Sequence, residues 1–461
     1  MRAAALSLVF AAGCASTSPK PAFDAVAHQV EARIGTRVHW SQASDDDAAA
    51  DKAVRDLLSR ELTVQGAVQV ALLHDPGLIA TYEELAIAQA DLVQAGLLRN
   101  PTLSGRAGFV VSGAGLTELG GDVVFDFLGL LMIPARRHVA EAALEATKAR
   151  VADAILRVAH EVQVAYFGHV AATQILAMRT TILDAADASI ALARKQRAAD
   201  TISELDLTSR EVVYEQARLD VARAEADVFT TREELVRRLG MWGPEVATLK
   251  VPTKLPELPA KEVEPEHLET LAIARRFDLV GATQEAQSIA FAVAMAKDFR
   301  FVGGATTGVG VTRTFEGPTL LGPSVSGIEL PIFDQKQAVI ARLEAQLRQS
   351  LARRDALAVA IRSEVRLSRA RLVASRDVVD RYATKLVPLQ RSVVRLSQQQ
   401  YDAILLGIYQ LLKAKQDEVA GYRELIEALR DYWIARADLE RAIGGTIPVV
   451  TVPVAPPARA K

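Results

Sequence analysis

The pattern of hydrophobic and polar positions divides the chain into long helical stretches and short alternating ones. Between residues 135 and 197 good helix formers dominate, and Val151, Ile155, Val158 and Val162 recur at alternating steps of four and three. This spacing is typical of a coiled coil and predicts one helix about 90 Å long. No compact domain needs such a helix, whereas the wall of a long tube does.

Two shorter stretches alternate between apolar and polar residues. The first predicts a β-hairpin over residues 101–128, with a Gly- and Ser-rich loop at 112–120. Leu103 and Phe125 belong to its apolar face. The charged residues of the opposite face are Arg106, Asp122 and Asp126. Such strands fit a membrane hairpin with lipid on one side and water on the other, and they fit equally a soluble hairpin whose apolar face covers a core.

The segments around this hairpin complete a unit that spans residues 62–239. Two short helices come first, and the long helix follows the hairpin. A turn at 201–203, with Ser203 as the helix N-cap, leads into a return helix over residues 204–239. Several prolines then predict that residues 240–265 form an extended linker.

The same order of segments returns in residues 266–445, which predicts an internal duplication. Glu161-Val162 and Glu364-Val365 occupy matching places in the two long helices. Chance similarity between alanine-rich helices would not reproduce the order of prolines, hairpin and helices. The second unit is predicted to contain a hairpin at 299–330 with Arg300 on its polar face, a long helix at 334–399 kinked at Pro388, and a return helix at 409–443.

The N-terminus resembles a bacterial lipoprotein signal, in which a short apolar core ends at Cys14. Residues 1–13 would then be a signal peptide, Cys14 would carry lipid, and residues 14–61 would form a tether and belt segment. A plain secretory leader with a buried cysteine is the alternative. By the same resemblance, Ala15 favours sorting to the outer membrane. The Pro- and Ala-rich residues 446–461 are predicted to be disordered.

Composition and charge exclude several classes of function. The charges of the 54 basic and 56 acidic residues of the 461-residue chain nearly cancel, so the sequence does not show the excess of basic residues that is typical of nucleic-acid-binding proteins. The sequence has no HExxH motif, no cysteine pair, no phosphate-binding loop and no convincing catalytic triad, so neither an enzyme nor a cofactor is expected. His160 and His169 lie on different faces of one helix, so no metal site is expected there. A purely structural coiled coil would not need the hairpins or the lipoprotein signal.

Several motifs, taken in order, resemble the signatures of the TolC-type outer-membrane efflux proteins. Motifs within residues 62–101 resemble the signature of their first repeat, and residues 327–334 resemble the one before their second long helix. Residues 401–416 resemble their last helical hairpin. The residue pattern of 400–416 and 427–445 resembles that of the heavy-metal branch, the CzcC- and CusC-like proteins. The similarity spans nearly the whole mature chain.

The resemblance implies a mainly α fold with a small β part, assembled as a homotrimer. Each protomer would give four strands to one twelve-stranded β-barrel in the outer membrane, and the long helices would form a periplasmic α-barrel. The trimer would be a passive exit duct that meets a periplasmic adaptor and an inner-membrane pump of the resistance–nodulation–division class, with heavy-metal ions as the cargo of the branch it resembles. The exit duct of a type I secretion system or of a multidrug pump is the alternative.

The resemblance also implies which residues line the duct and form its gate. The lumen of the barrel would be lined by Arg106, Asp122, Asp126 and Arg300. The two helix tips would contact the adaptor through Thr201, Ile202, Ser203, Asp206, Leu406, Gly407, Ile408 and Lys413. TolC carries carboxylates just past the second tip, whereas residues 409–413 contain none here and Lys413 adds positive charge. Asp206 is the candidate substitute, although an acidic residue in a first helical turn also compensates the helix dipole.

Overall fold

The computed structural model describes residues 17–42, 45–109, 116–259, 267–302, 306–314, 318–326, 329–403 and 405–447. The signal peptide, Cys14 and most of the tail at 446–461 lie outside the described residues. The chain divides into two compact units. The first comprises Met1–Val26, Tyr82–Val151 and Phe277–Ala358, and the second comprises Ala27–Thr81, Ala152–Arg276 and Val359–Lys461.

Helices account for most of the described residues, as the helix-forming composition predicts. Those before the linker are α1 (Lys20–Ile34), α2 (Asp45–Leu58), α3 (Val64–His74), α4 (Pro76–Gly96), α5 (Phe127–Leu131), α6 (Ile133–Ala198) and α7 (Glu204–Arg238). Those after it are α8 (Leu268–Arg275), α9 (Phe277–Asp298), α10 (Gln337–Arg381), α11 (Val387–Asp402) and α12 (Ile408–Ala442). None of these described helices combines the length and the apolar composition needed to cross a membrane.

The N-terminal segment contains more structure than the sequence pattern suggests. Residues 14–61 were expected to be a tether and belt segment, yet they include α1 and α2. Ala22, Val26 and Val30 recur at helical spacing in α1 and are all buried. Burial of one apolar stripe is therefore what makes α1 a helix.

Four strands form one antiparallel sheet in the first unit. They are β1 (Thr102–Phe109), β2 (Leu116–Asp126), β3 (Thr306–Thr314) and β4 (Thr319–Ser326), in the order β1-β2-β3-β4. The two predicted hairpins therefore join through β2 and β3. β2 begins inside the stretch predicted as a loop at 112–120, because residues 118–120 pair with both β1 and β3.

The second hairpin begins later than the sequence predicts. α9 ends at Asp298, and helical backbone bonding continues for one more turn to Val302. The ammonium group of Lys336 donates a hydrogen bond to the carbonyl of Phe299 at 2.9 Å, which stabilises this turn. Arg300 therefore lies in a helical turn before β3, and the prediction that it belongs to a strand is wrong.

In the second unit, each return helix ends at a glycine that packs against the junction of two short helices. Gly240 follows α7 with φ +67°, and it faces the Asp75-Pro76 junction between α3 and α4. Gly444 follows α12 with φ +79° and faces the Arg275-Arg276 junction between α8 and α9. We call each of these contacts, between the glycine after a return helix and the junction of two short helices, a joint. The two joints are equivalent, as a duplicated unit requires.

An ion pair from each long helix reinforces each joint. Arg238 pairs with Glu161 of α6 beside the first joint. Arg276, which is buried, pairs with Glu364 of α10 beside the second joint and also donates to the carbonyl of Ala442 at 3.4 Å. Glu161 and Glu364 match in the two repeats, but their partners do not: Arg238 ends the return helix α7, whereas Arg276 lies at the junction of α8 and α9.

The two long helices differ in continuity. α6 runs unbroken for 66 residues. The second long helix, expected at 334–399, is divided into α10, a π-helical turn at Tyr382–Leu386, and α11 with Pro388 in its first turn. Proline has no N–H to donate to the carbonyl four residues earlier, which interrupts the helical bonding. The irregularity expected at Pro388 is therefore a π turn just before the proline.

The linker at 240–259 lies along three helices of the second unit. The N–H of Leu255 donates to the side chain of Gln174 on α6 at 2.9 Å. The carbonyl of Pro256 accepts a hydrogen bond from the indole of Trp433 on α12 at 2.9 Å. The carbonyl of Pro259 accepts one from Arg376 on α10 at 2.8 Å. Side chains of the helices thus supply hydrogen bonds to the end of the linker. The linker is not extended throughout as predicted, because Pro244–Thr248 form a short 3-10 helix with backbone bonds of their own.

Candidate functional site

The antiparallel register assigns the residues of the sheet to two faces, because paired residues point to the same side. The apolar face contains the row Leu103–Val123–Val309 across β1, β2 and β3. Leu103 is 80% exposed, Val309 54% and Phe125 52%. Within the part of the chain that the structure describes, more than half of the surface of each of these residues is therefore uncovered.

The opposite face of the sheet combines charged residues with glycines. One row runs Ser104–Asp122–Gly310–Gly322 across all four strands. The carboxylate of Asp122 lies over Gly310, where a Cβ atom would collide with it. The glycines thus leave room for charged side chains to lie along the sheet.

The three lumen candidates that were predicted on strands share this polar face. Arg106 pairs in register with Gly120, and Asp122 occupies the row beside it. Asp126 stands at the end of β2, where its carboxylate accepts a hydrogen bond from the N–H of Gly129 at 2.8 Å and caps α5. It also pairs with Arg99 at 3.3 Å. The structure therefore brings these charges together along β1 and β2.

Arg300 does not join them. Its guanidinium donates to Gln335 at 3.1 Å and lies 4.4 Å from the centre of the Phe301 ring. Glu118, which the sequence prediction left in a loop, does belong to the polar face, because it pairs in register with Thr314. The alternation of Glu118 with Asp122 is the signal that could have found it.

The first tip, between α6 and α7, is a tight turn. Asp200 has φ +53°, and Arg197 donates to its carboxylate at 3.1 Å and to the carbonyl of Ile202 at 3.5 Å. Thr201 donates both its N–H and its hydroxyl to the carbonyl of Gln196, each at 2.9 Å. Bonds back to α6 thus hold the turn, and Thr201 and Ile202 take part in them.

A capping box starts the return helix of this tip. The hydroxyl of Ser203 accepts the N–H of Asp206 at 3.1 Å. The carboxylate of Asp206 in turn accepts the Ser203 hydroxyl at 2.8 Å and the Ser203 N–H at 3.3 Å. Asp206, the candidate substitute for an acidic gate, is therefore engaged by its own helix.

The second tip, between α11 and α12, has no side-chain cap. Gly407 is the N-cap residue, and Ile408 begins α12. Leu406 is half-buried, whereas Leu405 is 79% exposed. Lys413 donates to Asp417 one turn further on at 2.7 Å. The positive charge that the sequence places at Lys413 thus has a carboxylate beside it.

A hydrogen bond links the two return helices near their tips. The hydroxyl oxygens of Ser209 on α7 and Tyr409 on α12 lie 3.2 Å apart. Sequence reasoning missed both residues, because a single sequence gives no signal for a contact between positions 200 residues apart. This bond must break if the two tips separate.

The histidines noted on α6 have separate partners. His160 lies 2.7 Å from the carboxylate of Asp438, and His169 lies 3.2 Å from the hydroxyl of Thr231. In the residues that the structure describes, no group of three or more His, Cys, Asp or Glu side chains is arranged to hold a metal ion. The two histidines therefore serve contacts between helices.

Comparison with known proteins identifies the fold. No family model matches the chain. It is 25% identical over 408 residues to the cobalt-zinc-cadmium resistance protein CzcC of Cupriavidus metallidurans, which covers 85% of this chain and 88% of that protein. Among solved structures, CusC matches with a TM-score of 0.68 at 18% identity, over 83% of this chain and 92% of CusC. The outer membrane protein VceC of Vibrio cholerae matches with a TM-score of 0.68 at 18% identity, over 83% of this chain and 96% of VceC. The chain has the fold of the TolC-type outer-membrane efflux channels.

These matches confirm the resemblance that the motifs indicate. A TolC-type fold covers 83% of the chain in both structural comparisons, so it includes residues of both repeats. The CzcC and CusC matches also agree with the heavy-metal branch that residues 400–416 and 427–445 resemble. The sheet and the helix tips are consequently the two places in this chain where function is to be sought.

Proposed function

We propose that the chain is the exit duct of a tripartite efflux system in the outer membrane. The observation that supports this function most directly is the four-stranded sheet. Its apolar face is exposed, and its edge strands β1 and β4 each have one strand partner among the described residues. An open edge cannot lie in lipid, because its backbone N–H and C=O groups would lack hydrogen bonds.

A ring of three copies would satisfy these edges. If β1 of one copy pairs with β4 of the next, three sheets close into a barrel of twelve strands, with lipid outside and water inside. The polar face, with Arg106, Glu118 and Asp122, then lines the lumen. The long helices of three copies form the periplasmic wall, and the linker that lies along α6, α10 and α12 becomes a belt on it. The duct catalyses no reaction, and its substrates move through it passively.

The tips are the proposed contacts with the rest of the system. The turns at 201–203 and 406–408 meet a periplasmic adaptor, which also holds an inner-membrane pump of the resistance–nodulation–division class. Leu205 and Leu405 are 62% and 79% exposed, and they offer this adaptor apolar contacts. At the gate, Lys413 pairs with Asp417, and Asp206 is held in the capping box of α7.

Heavy-metal ions are the proposed substrates. The relative CzcC is named for resistance to cobalt, zinc and cadmium, and carboxylates of Glu118 and Asp122 on the polar face favour cations. Deletion of the gene is expected to sensitise the cell to these metals while resistance to dyes and antibiotics stays unchanged. Sensitivity to dyes and antibiotics alone would instead assign a multidrug duct, and loss of one secreted protein would assign a type I secretion duct.

The duct itself can be tested on purified protein. We expect a trimer by light scattering and discrete conductance steps after reconstitution into a planar lipid bilayer. A compact monomer that does not conduct would refute the proposed function, whatever the effect of gene deletion in the cell.

A charge placed on the apolar face of the sheet is expected to prevent membrane assembly. Val123 and Val124 are neighbours on β2, but Val123 shares the apolar row with Val309, and Val124 pairs with Gly308 on the polar face. Arginine on the lipid side costs about 2 kcal/mol or more near the middle of a bilayer. Val123→Arg should therefore reduce the amount of heat-stable trimer in outer membranes, whereas Val124→Arg, the matched control, should assemble. Equal assembly of the two variants would show that Val123 does not face lipid.

Removal of the bond between the two tips is expected to favour the open state. A neutral hydrogen bond contributes about 1 kcal/mol, so Tyr409→Phe should raise the ratio of open to closed states about fivefold for each protomer, and by more for a trimer whose three protomers open together, in single-channel recordings. Ser209→Ala should have the same effect, and the double variant should add nothing further, because both changes remove one bond. Additive effects would mean that the two hydroxyl groups act separately.

A further inference from the structure

The buried stripe of α10 and α11 shifts by one residue at the π-helical turn. Val365, Leu372 and Val379 are buried at steps of seven, which is the heptad spacing of a coiled coil. Val387 and Val394, beyond the turn, are also buried and seven apart, but the step from Val379 to Val387 is eight. The seam therefore contains one extra residue at this place.

The π-helical turn accommodates that extra residue. Its closing bond runs from the N–H of Val387 to the carbonyl of Tyr382, five residues earlier instead of four. The wider turn rotates the chain back, so that the same face of the helix is buried on both sides of it. Without the π turn, the buried stripe of α11 would point about 100° away from that of α10.

The first repeat has no such insertion. α6 is one helix throughout, and Ile155, Val162 and Ile190 belong to one uninterrupted seven-residue series and are buried. Val365 is the counterpart of Val162, and the N-cap Gly407 is the counterpart of the N-cap Ser203. The difference in numbering between the repeats grows by one residue between these two pairs. The insertion thus lies in the second long helix, where the π turn is found.

A groove open to solvent lies beside the turn. Its volume is about 280 Å³, and it is lined by residues of α10 and α12 and by Tyr382. The hydroxyl of Tyr382 donates to the carboxylate of Glu424 on α12. One turn later, the side chain of Gln390 fits against Gly421, and its oxygen is buried without a hydrogen-bond partner.

We propose that the π-helical turn with Pro388 is a hinge within the second long helix, at which α11 bends relative to α10. The inserted residue and the missing N–H of Pro388 weaken the helical bonding at this place. The open groove beside the turn leaves space for the bending, and the bond from Tyr382 to Glu424 holds one of its positions. The hinge rests on the proposed duct function and locates the place where the second long helix bends.

The test removes the insertion. Deletion of the exposed Ala383 together with Pro388→Ala restores the seven-residue step and should make the second long helix continuous. Pro388→Ala alone keeps the inserted residue and is the matched control. A spin label at Leu405 in the trimer should report a broad distribution of distances in the wild type and in the control, and a narrow one in the deletion variant. A label at Leu205, on the other tip, should report the same distribution in all three.

The outcomes separate the hinge from the duct. Equal Leu405 distributions in the wild type and the deletion variant would overturn the hinge, and so would a change confined to Leu205. If the deletion variant does not assemble, Tyr382→Phe, which leaves the backbone intact, decides instead: the hinge requires a broader Leu405 distribution, with Tyr401→Phe on the same helix unchanged. A wild-type trimer that does not conduct ions would refute the proposed duct, but the distance distributions would still test the hinge.

Discussion

Alanine in place of Gly240 is expected to reduce the free energy of unfolding by about 2–5 kcal/mol. Two costs combine. The backbone of Gly240 has φ +67°, a conformation that a residue with a Cβ atom adopts only with strain. The added Cβ would also lie 2.8 Å from the Cα of Asp75, a main-chain atom that cannot swing aside as a flexible side chain can. Thermal or denaturant unfolding of the purified protein measures the loss.

Gly35 provides a control that separates the two costs. Its φ is also +67°, but a Cβ atom there would meet nothing within 4 Å. Gly35→Ala should therefore reduce the free energy of unfolding only by the cost of backbone strain, about 1–2 kcal/mol. If Gly35→Ala and Gly240→Ala are equally destabilised, the close approach of α7 to the junction of α3 and α4 does not contribute to stability.

Alanine in place of Gly444, at the equivalent joint of the second repeat, should reduce the free energy of unfolding less than Gly240→Ala does. A Cβ atom on Gly444 would lie 3.2 Å from the carbonyl carbon of Arg275, so a shift of a few tenths of an ångström would relieve the contact. The two joints share one design, in which a glycine with positive φ closes the return helix and an arginine–glutamate pair stands beside it. The duplication thus preserved the glycine and the glutamate of the joint, while the π turn altered the helix between joint and tip.

Sequence periodicity predicts the long elements of this fold because each has a repeated apolar spacing. The return helix expected at 204–239 is observed as α7, Glu204–Arg238, and the stretch expected at 135–197 is observed as α6, Ile133–Ala198. Ser203 as an N-cap was also predictable, because its side chain acts on a helix that starts at the next residue. Local chemistry of this kind can be read from neighbouring residues.

Features that depend on distant partners could not be predicted in the same way. Arg300 has the alternation of a strand residue, but Lys336 stabilises a helical turn there. Glu118 is in a stretch rich in turn residues, yet pairing with both β1 and β3 makes it part of β2. The π turn shifts the spacing of the buried apolar residues of the second long helix by one residue. This shift can be recognised only when the apolar residues on both sides of Pro388 are known to face the same core.

Lowering the pH from 7 to 4 is expected to weaken the protein through His169 on α6. Burial, and then the positive charge of Arg232, lower the pKa of His169 from 6.5 to about 4. Above pH 6.5 the imidazole is neutral in the folded and the unfolded chain, so its contribution to the free energy of unfolding does not vary with pH. Between pH 6.5 and about 4 the unfolded chain binds a proton that the folded chain does not bind, and stability falls as pH falls. At about 1.4 kcal/mol per pH unit, the loss reaches up to about 3 kcal/mol and is complete near pH 4.

His169→Gln should remove this part of the pH dependence. Glutamine keeps a polar side chain near the hydroxyl of Thr231, which lies 3.2 Å from His169, but it does not titrate. Unfolding midpoints measured between pH 7 and pH 4 should therefore fall less steeply for His169→Gln than for the wild type. His28→Gln is the matched control, because the side chain of His28 is exposed and its replacement should leave the slope unchanged. The carboxylates titrate alike in all three proteins, so parallel curves for His169→Gln and the wild type would mean that His169 binds its proton in the folded state as readily as in the unfolded one.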